Sequence, residues 1–105
     1  AVADAIMPLL AAEQPYLIKE RGLRLAAIAV PAGYNISQIS ALMNDKELTI
    51  KTRDALETIG SPEAREALHR YLGRFGYEVA VAIIDALDTI GDSESVPVLR
   101  TRLEH

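Results

Sequence analysis

Apolar residues in this chain recur at three- and four-residue intervals, the spacing that lays them along one face of a helix. No stretch shows sustained two-residue alternation with β-branched and aromatic content, so no strands are expected. The pattern also repeats on a longer scale. Leu56-Glu57-Thr58-Ile59-Gly60 returns as Leu87-Asp88-Thr89-Ile90-Gly91, 31 residues on, and the same step backwards reaches Leu25-Ala26-Ala27-Ile28-Ala29. Read this way, Leu25/Leu56/Leu87 and Ile28/Ile59/Ile90 are constant columns, Ala29/Gly60/Gly91 is always small, and Leu17/Leu48/Val79 adds a fourth column. These columns predict one buried face on each of three helices, with positions 17, 25 and 28 inward on the first.

A shorter helix is expected after each. In the middle copy it covers roughly residues 62–74, with Leu68 and Leu72 inward. In the last copy it begins near Ser93 and buries Val96, Leu99 and Leu103. In the first copy Ile36, Ile39 and Met43 come into register if the turn over residues 30–35 is two residues longer than its siblings. The punctuation agrees. Gly60 and Gly91 stand where a left-handed helix-ending residue is wanted, and Ser61-Pro62 and Asp92-Ser93 follow as caps and first-turn residues. Asn44-Asp45 and Phe75-Gly76 separate successive hairpins, and Gln14-Pro15 opens the first.

The chain therefore parses into a half repeat at 2–13 and hairpins at 15–43, 47–74 and 77–103, forming one domain over residues 1–103. Neither helix of a hairpin can bury its apolar face alone, so the hairpins should stack. The expected fold is all-α, an α-solenoid of about three and a half hairpins without strands. The leading half repeat reads as the second helix of a preceding hairpin. Leu103-Glu104-His105 reads as the remnant of a tag. Together they suggest a piece of a longer protein.

The motif A-L-x-x-I-G-[DS]-x-x-[AS]-x-x-x-L, running through residues 55–68 and 86–99, resembles the HEAT-like repeat first recognised in phycobiliprotein lyase subunits. The resemblance implies a superhelix whose second helices line a concave face. The first hairpin departs from the motif, with Ala29 in place of glycine and Pro31-Ala32-Gly33 stretching the turn. The family's first-helix arginine is matched by Arg53, whereas Ile84 stands at the corresponding place in the last repeat. Such a fold implies the shape of a binding surface rather than a reaction.

Composition narrows the function classes. The net charge is −4 and there is no Trp, which disfavours nucleic acid as a partner. No cysteine is present, which fits a reducing compartment and a cytoplasmic location and removes thiol chemistry. No apolar run approaches the ~18–20 residues that span a bilayer, so no membrane association is expected. With two histidines, no H-E-x-x-H and no glycine-rich phosphate loop, no metal site, cofactor or catalytic residue is nominated. The carboxylates are scattered: Asp54 and Asp85 repeat one acidic position, Asp88 sits in the column of Ala26 and Glu57, and all read as solvated. Arg53 and Glu57, four apart, suit an ion pair worth a few tenths of a kcal/mol. Gly22, inside a helix where glycine costs about 1 kcal/mol relative to Ala, is expected either to allow close helix approach, the favoured reading, or to mark a kink.

Arginine distribution is the most informative charge feature. Arg65, Arg70, Arg74, Arg100 and Arg102 all fall on second helices, with Arg100 in the column of His69 and Ser40. A guanidinium fork matches carboxylates and phosphates, so a basic ridge there would suit an acidic or phosphorylated protein segment. The candidate partner-binding residues are Gln38, Arg65, Glu66, His69, Arg70 and Arg100. The plainer reading is that these charges only keep an exposed face soluble. Tyr34, in the long turn, offers either an aromatic contact or a ring folded over the turn. The leading functional expectation is a non-catalytic interaction scaffold. A part of a phycobiliprotein lyase or isomerase is the alternative, on the resemblance alone, and nucleic-acid binding is third. The apolar ends of the stack would also support self-association.

Overall fold

A computed structural model describes residues 2–91. Helix α1 (Val2–Ile6) runs into a 3-10 turn at Met7–Leu10, and α2 (Tyr16–Ala29) follows. Helix α3 (Ser37–Ser40) is a single turn continued by a 3-10 turn at Ala41–Asn44. Then come α4 (Thr49–Ile59), α5 (Pro62–Tyr71) and α6 (Tyr77–Ile90). There is no strand among the described residues. The long first helices α2, α4 and α6 lie side by side with α4 in the middle, and α1, α3 and α5 form a second layer against them. The shorter helix expected after α6 lies outside the described residues.

Local chemistry accounts for the breaks. Helix α4 ends where Gly60 turns left-handed at φ 60° and returns its N–H to the Leu56 carbonyl at 3.0 Å, and α6 ends at Gly91 with φ 99°. Ser61 Oγ accepts the Ala64 N–H at 3.1 Å to cap α5, and Pro62 occupies the first turn, where its missing N–H costs nothing. Leu48, Leu56, Leu68, Ile83, Ile84 and Leu87 are fully buried and form the centre of the core.

The first hairpin obeys a different register from the one its sequence suggests. Leu17, Leu25 and Ile28 do share a face of α2, but that face is exposed at 64, 48 and 84%. The residues turned inward are Gly22, Leu23, Ala26 and Val30. They align with α4 at a spacing of 29, not 31: Leu23 takes the place of Thr52, Ala26 of Ala55, Ala27 of Leu56 and Val30 of Ile59. Ala27 is only partly buried, and its small side chain leaves the Leu56/Leu87 column without a leucine here. Packing against the α1 segment decides the register. A Cβ at Gly22 would stand 2.7 Å from Leu10 Cδ2 and 3.0 Å from Leu9 Cβ, so α2 presents its small side to that segment at close range. Turning Leu25 and Ile28 inward would rotate Gly22 away from this contact.

The turn is correspondingly one residue longer than its sibling after α4, not two. Ile36, Ile39, Ser40 and Met43 take the places of Ala64, Ala67, Leu68 and Tyr71, and all four are buried. Ser40 thus belongs to the Leu68 column rather than to that of His69. Gly33, at φ 87°, supplies the left-handed residue that the extra length requires.

Candidate functional site

Two of the nominated residues meet on the second layer. Arg70 Nη2 lies 3.4 Å from Glu66 Oε1, one helical turn away on α5, and both side chains are largely exposed. They border a groove of about 190 Å³ between α3 and α5, with Asn35, Ser37, Ser40 and Glu63 among the other lining residues. Asn35 Oδ1 accepts from the Ser37 backbone N–H at 2.9 Å and from the Ser37 hydroxyl, which fixes the start of α3. Glu63 is tied differently: its Oε1 accepts the Gly33 N–H at 2.9 Å, so the long turn of the first hairpin is fastened to α5. That backbone hydrogen bond is the main reason its carboxyl titrates below the ordinary value of 4.5.

The other candidates are dispersed. Gln38 donates through Nε2 to the Met7 carbonyl at 2.8 Å, facing a separate hollow bordered by Asp4, Met7 and Tyr34. Arg65 and His69 are half-buried on α5, and Arg100 lies outside the described residues. Arg74 is spent on an aromatic ring, its guanidinium carbon 5.1 Å from the centre of Tyr71, which in turn stacks on Phe75. The described groove therefore carries two carboxylates, Glu63 and Glu66, beside one guanidinium. Tyr34 folds over the turn and donates its hydroxyl to Asp4 at 2.5 Å, and that bond to the neutral phenol raises its pKa.

Arg53 is a joint between repeats. Only 17% exposed, it donates from Nε to the Ala82 carbonyl of α6 at 2.8 Å and pairs with Asp54 at 2.6 Å and Glu57 at 3.2 Å. The aligned residue of α2 is Arg24, which pairs with Glu20 at 2.9 Å, while Lys51 of α4 reaches the same carboxylate at 3.7 Å. Lys19 and Asp45 close the other end of this seam at 3.3 Å.

Residues 79–105, from the first turn of α6 onward, match the family described as PBS lyase HEAT-like repeat. The end of the chain is similar to a HEAT-like repeat. The all-helical pairing of α4 with α5, repeated in register by α6, is the solenoid that such a repeat builds. No curated protein and no solved structure matches the chain. Among the described residues, no helix is long and apolar enough to cross a membrane and no group of three or more acidic or histidine side chains is placed to hold a metal ion.

The exposed face of α2 was missed in the sequence because a 31-residue column of leucine and isoleucine reads as core. The counter-signal was present: Arg24 falls over Arg53, and Ala26 over Ala55 and Ala86, only at the shorter spacing.

Proposed function

We propose that this protein is a non-catalytic protein–protein interaction scaffold. It would receive an acidic or phosphorylated partner segment on its second-helix face through Gln38, Arg65, Glu66, His69, Arg70 and Arg100. The observation that carries the reading is the Arg70–Glu66 pair at the rim of the α3/α5 groove. An exposed pair one helical turn apart is worth only a few tenths of a kcal/mol. A partner's carboxylate or phosphate can displace Glu66 at little cost and take both prongs of the guanidinium. The absence of cysteine supports a cytoplasmic setting.

Calorimetric titration with a glutamate-rich peptide and a phosphoserine peptide tests the proposal. Binding should weaken at least tenfold when Arg70 and Arg100 are both reversed to Glu. Indifference to that reversal, or no heat with either peptide, overturns it. A second reading, part of a lyase acting on a bilin, draws support from the family description. A bilin whose absorbance is unchanged on mixing with the protein would remove it.

A further inference from the structure

The outward face of α2 differs from the faces its sibling helices present. At the aligned positions α4 carries Asp54 and Glu57, preceded by Lys46, and α6 carries Tyr77, Asp85 and Asp88. On α2 the same positions are Leu25, Ile28 and Leu17, each about half exposed or more. Leu17, Leu25 and Ile28 fall at helical spacing along one side, with Arg21 among them and Arg24, itself 73% exposed, at their edge. Three exposed aliphatic side chains in a row, where the sibling helices carry charge at five of the six aligned positions, mark a docking surface rather than ordinary surface leucines.

We infer that this stripe receives an amphipathic partner helix whose apolar ridge is flanked by carboxylates. Charge selects the occupant. The outward charged residues of α2 are Arg21 and Arg24, whereas those of α6 are Glu78, Asp85 and Asp88. A second copy lying antiparallel across the stripe would set Ile28 over Leu17 but Arg21 over Arg24, bringing four guanidinium groups together. An anionic membrane would have to lie flat over the neighbouring helices as well, against Asp54, Glu57, Asp85 and Asp88. A single helix can lie along α2 alone, burying its apolar ridge on the three side chains and its acids on the two arginines.

The probe is a fluorescently labelled synthetic helix with leucines along one stripe and glutamates on both flanks. Its controls are a version with lysine for every glutamate and a version of scrambled order. Saturable anisotropy change is expected with the acidic peptide alone, weakened by added salt. The double substitution Leu25→Asp with Ile28→Glu, which copies the sibling helices, should reduce affinity at least tenfold. Arg21→Glu with Arg24→Glu should exchange the preference, so that the lysine peptide binds and the acidic one does not.

Equal binding of acidic and lysine peptides, or no binding at all, overturns the inference, as does indifference to both double substitutions. So does a sedimentation dimer that Leu25→Asp with Ile28→Glu dissolves, which would make a second copy the occupant. Co-sedimentation with phosphatidylserine vesicles that the same variant abolishes would overturn it in favour of a membrane.

Discussion

Helices α2 and α4 hold the same place in successive hairpins, yet they are seated by different means. Helix α4 sinks its N-cap Leu48 together with Thr52 and Leu56 completely and shows mainly charge outward, with Ile50 half exposed. Helix α2 puts Gly22, Leu23 and Ala26 inward and leaves three large aliphatic side chains in solvent. The difference lies in what each helix must meet. Helix α4 packs between two long first helices and needs volume to fill the space between them, whereas α2 must let the α1 segment approach to within a Cβ of its backbone. A repeat position fixes where a helix lies, and its neighbour on either side fixes which way it faces.

The largest expected effect separates two leucines that the sequence places in one column. Leu56→Ala empties a fully buried site and should cost about 2–5 kcal/mol in denaturant unfolding. Leu25→Ala removes a half-exposed side chain and should cost less than about 0.5 kcal/mol. Equal losses would mean that the 31-residue register holds and that α2 is seated the other way round.

Next in size is Gly22. Alanine there gains about 1 kcal/mol of helix propensity, which offsets part of the clash with Leu10 and Leu9. Valine adds two branches against Leu9 Cβ, a group fixed to the backbone, and Gly22→Val should destabilise by about 1–3 kcal/mol. A thermal midpoint unchanged by Gly22→Val would show that the α1 segment does not hold α2 in its register.

The fold was legible to the extent that local signals and neighbours agree. Gly60, Gly91 and Ser61-Pro62 act within a few residues of themselves, and the sequence alone places them correctly. The burial of Leu56 and Leu87 was equally plain, because α4 and α6 have the same kind of surroundings and share one spacing. Leu25 and Ile28 were misread because their orientation depends on Leu9 and Leu10, which come from outside the repeat being aligned. Of the nominated binding residues, Glu66 and Arg70 could be paired from their four-residue spacing. The tether from Glu63 to Gly33 could not, since it joins two hairpins through a backbone N–H.

Thr52 sharpens the comparison in the stabilising direction. Its column reads Leu23, Thr52 and Ile83, and its hydroxyl has no hydrogen-bond partner while fully buried. A buried polar atom left unsatisfied costs roughly 1–3 kcal/mol. Thr52→Val keeps the branched shape and removes the orphan, so it should raise stability by about 1 kcal/mol. A loss of stability in chemical denaturation would show that the hydroxyl is satisfied after all, and the α4 core would then be more polar than its α2 and α6 counterparts.

The smallest effect concerns a feature that the first hairpin has and the second lacks, its extra turn residue. Glu63 anchors that turn by accepting the Gly33 N–H, and this contact lowers its folded-state pKa below 4.5. A depressed carboxyl pKa stabilises the fold fully at pH values above the unfolded pKa near 4.5, and the contribution disappears as pH falls through the folded value. Glu63→Gln keeps an acceptor oxygen but cannot titrate. The wild-type chain should therefore lose stability relative to Glu63→Gln as the pH is lowered from 6 to about 3, while near pH 7 the wild type should be the more stable of the two. Acid titration followed by circular dichroism at both pH values reads the difference directly. A constant offset between the two proteins across the whole range would show that the carboxylate does not hold the turn, and that the first hairpin keeps its shape by packing alone.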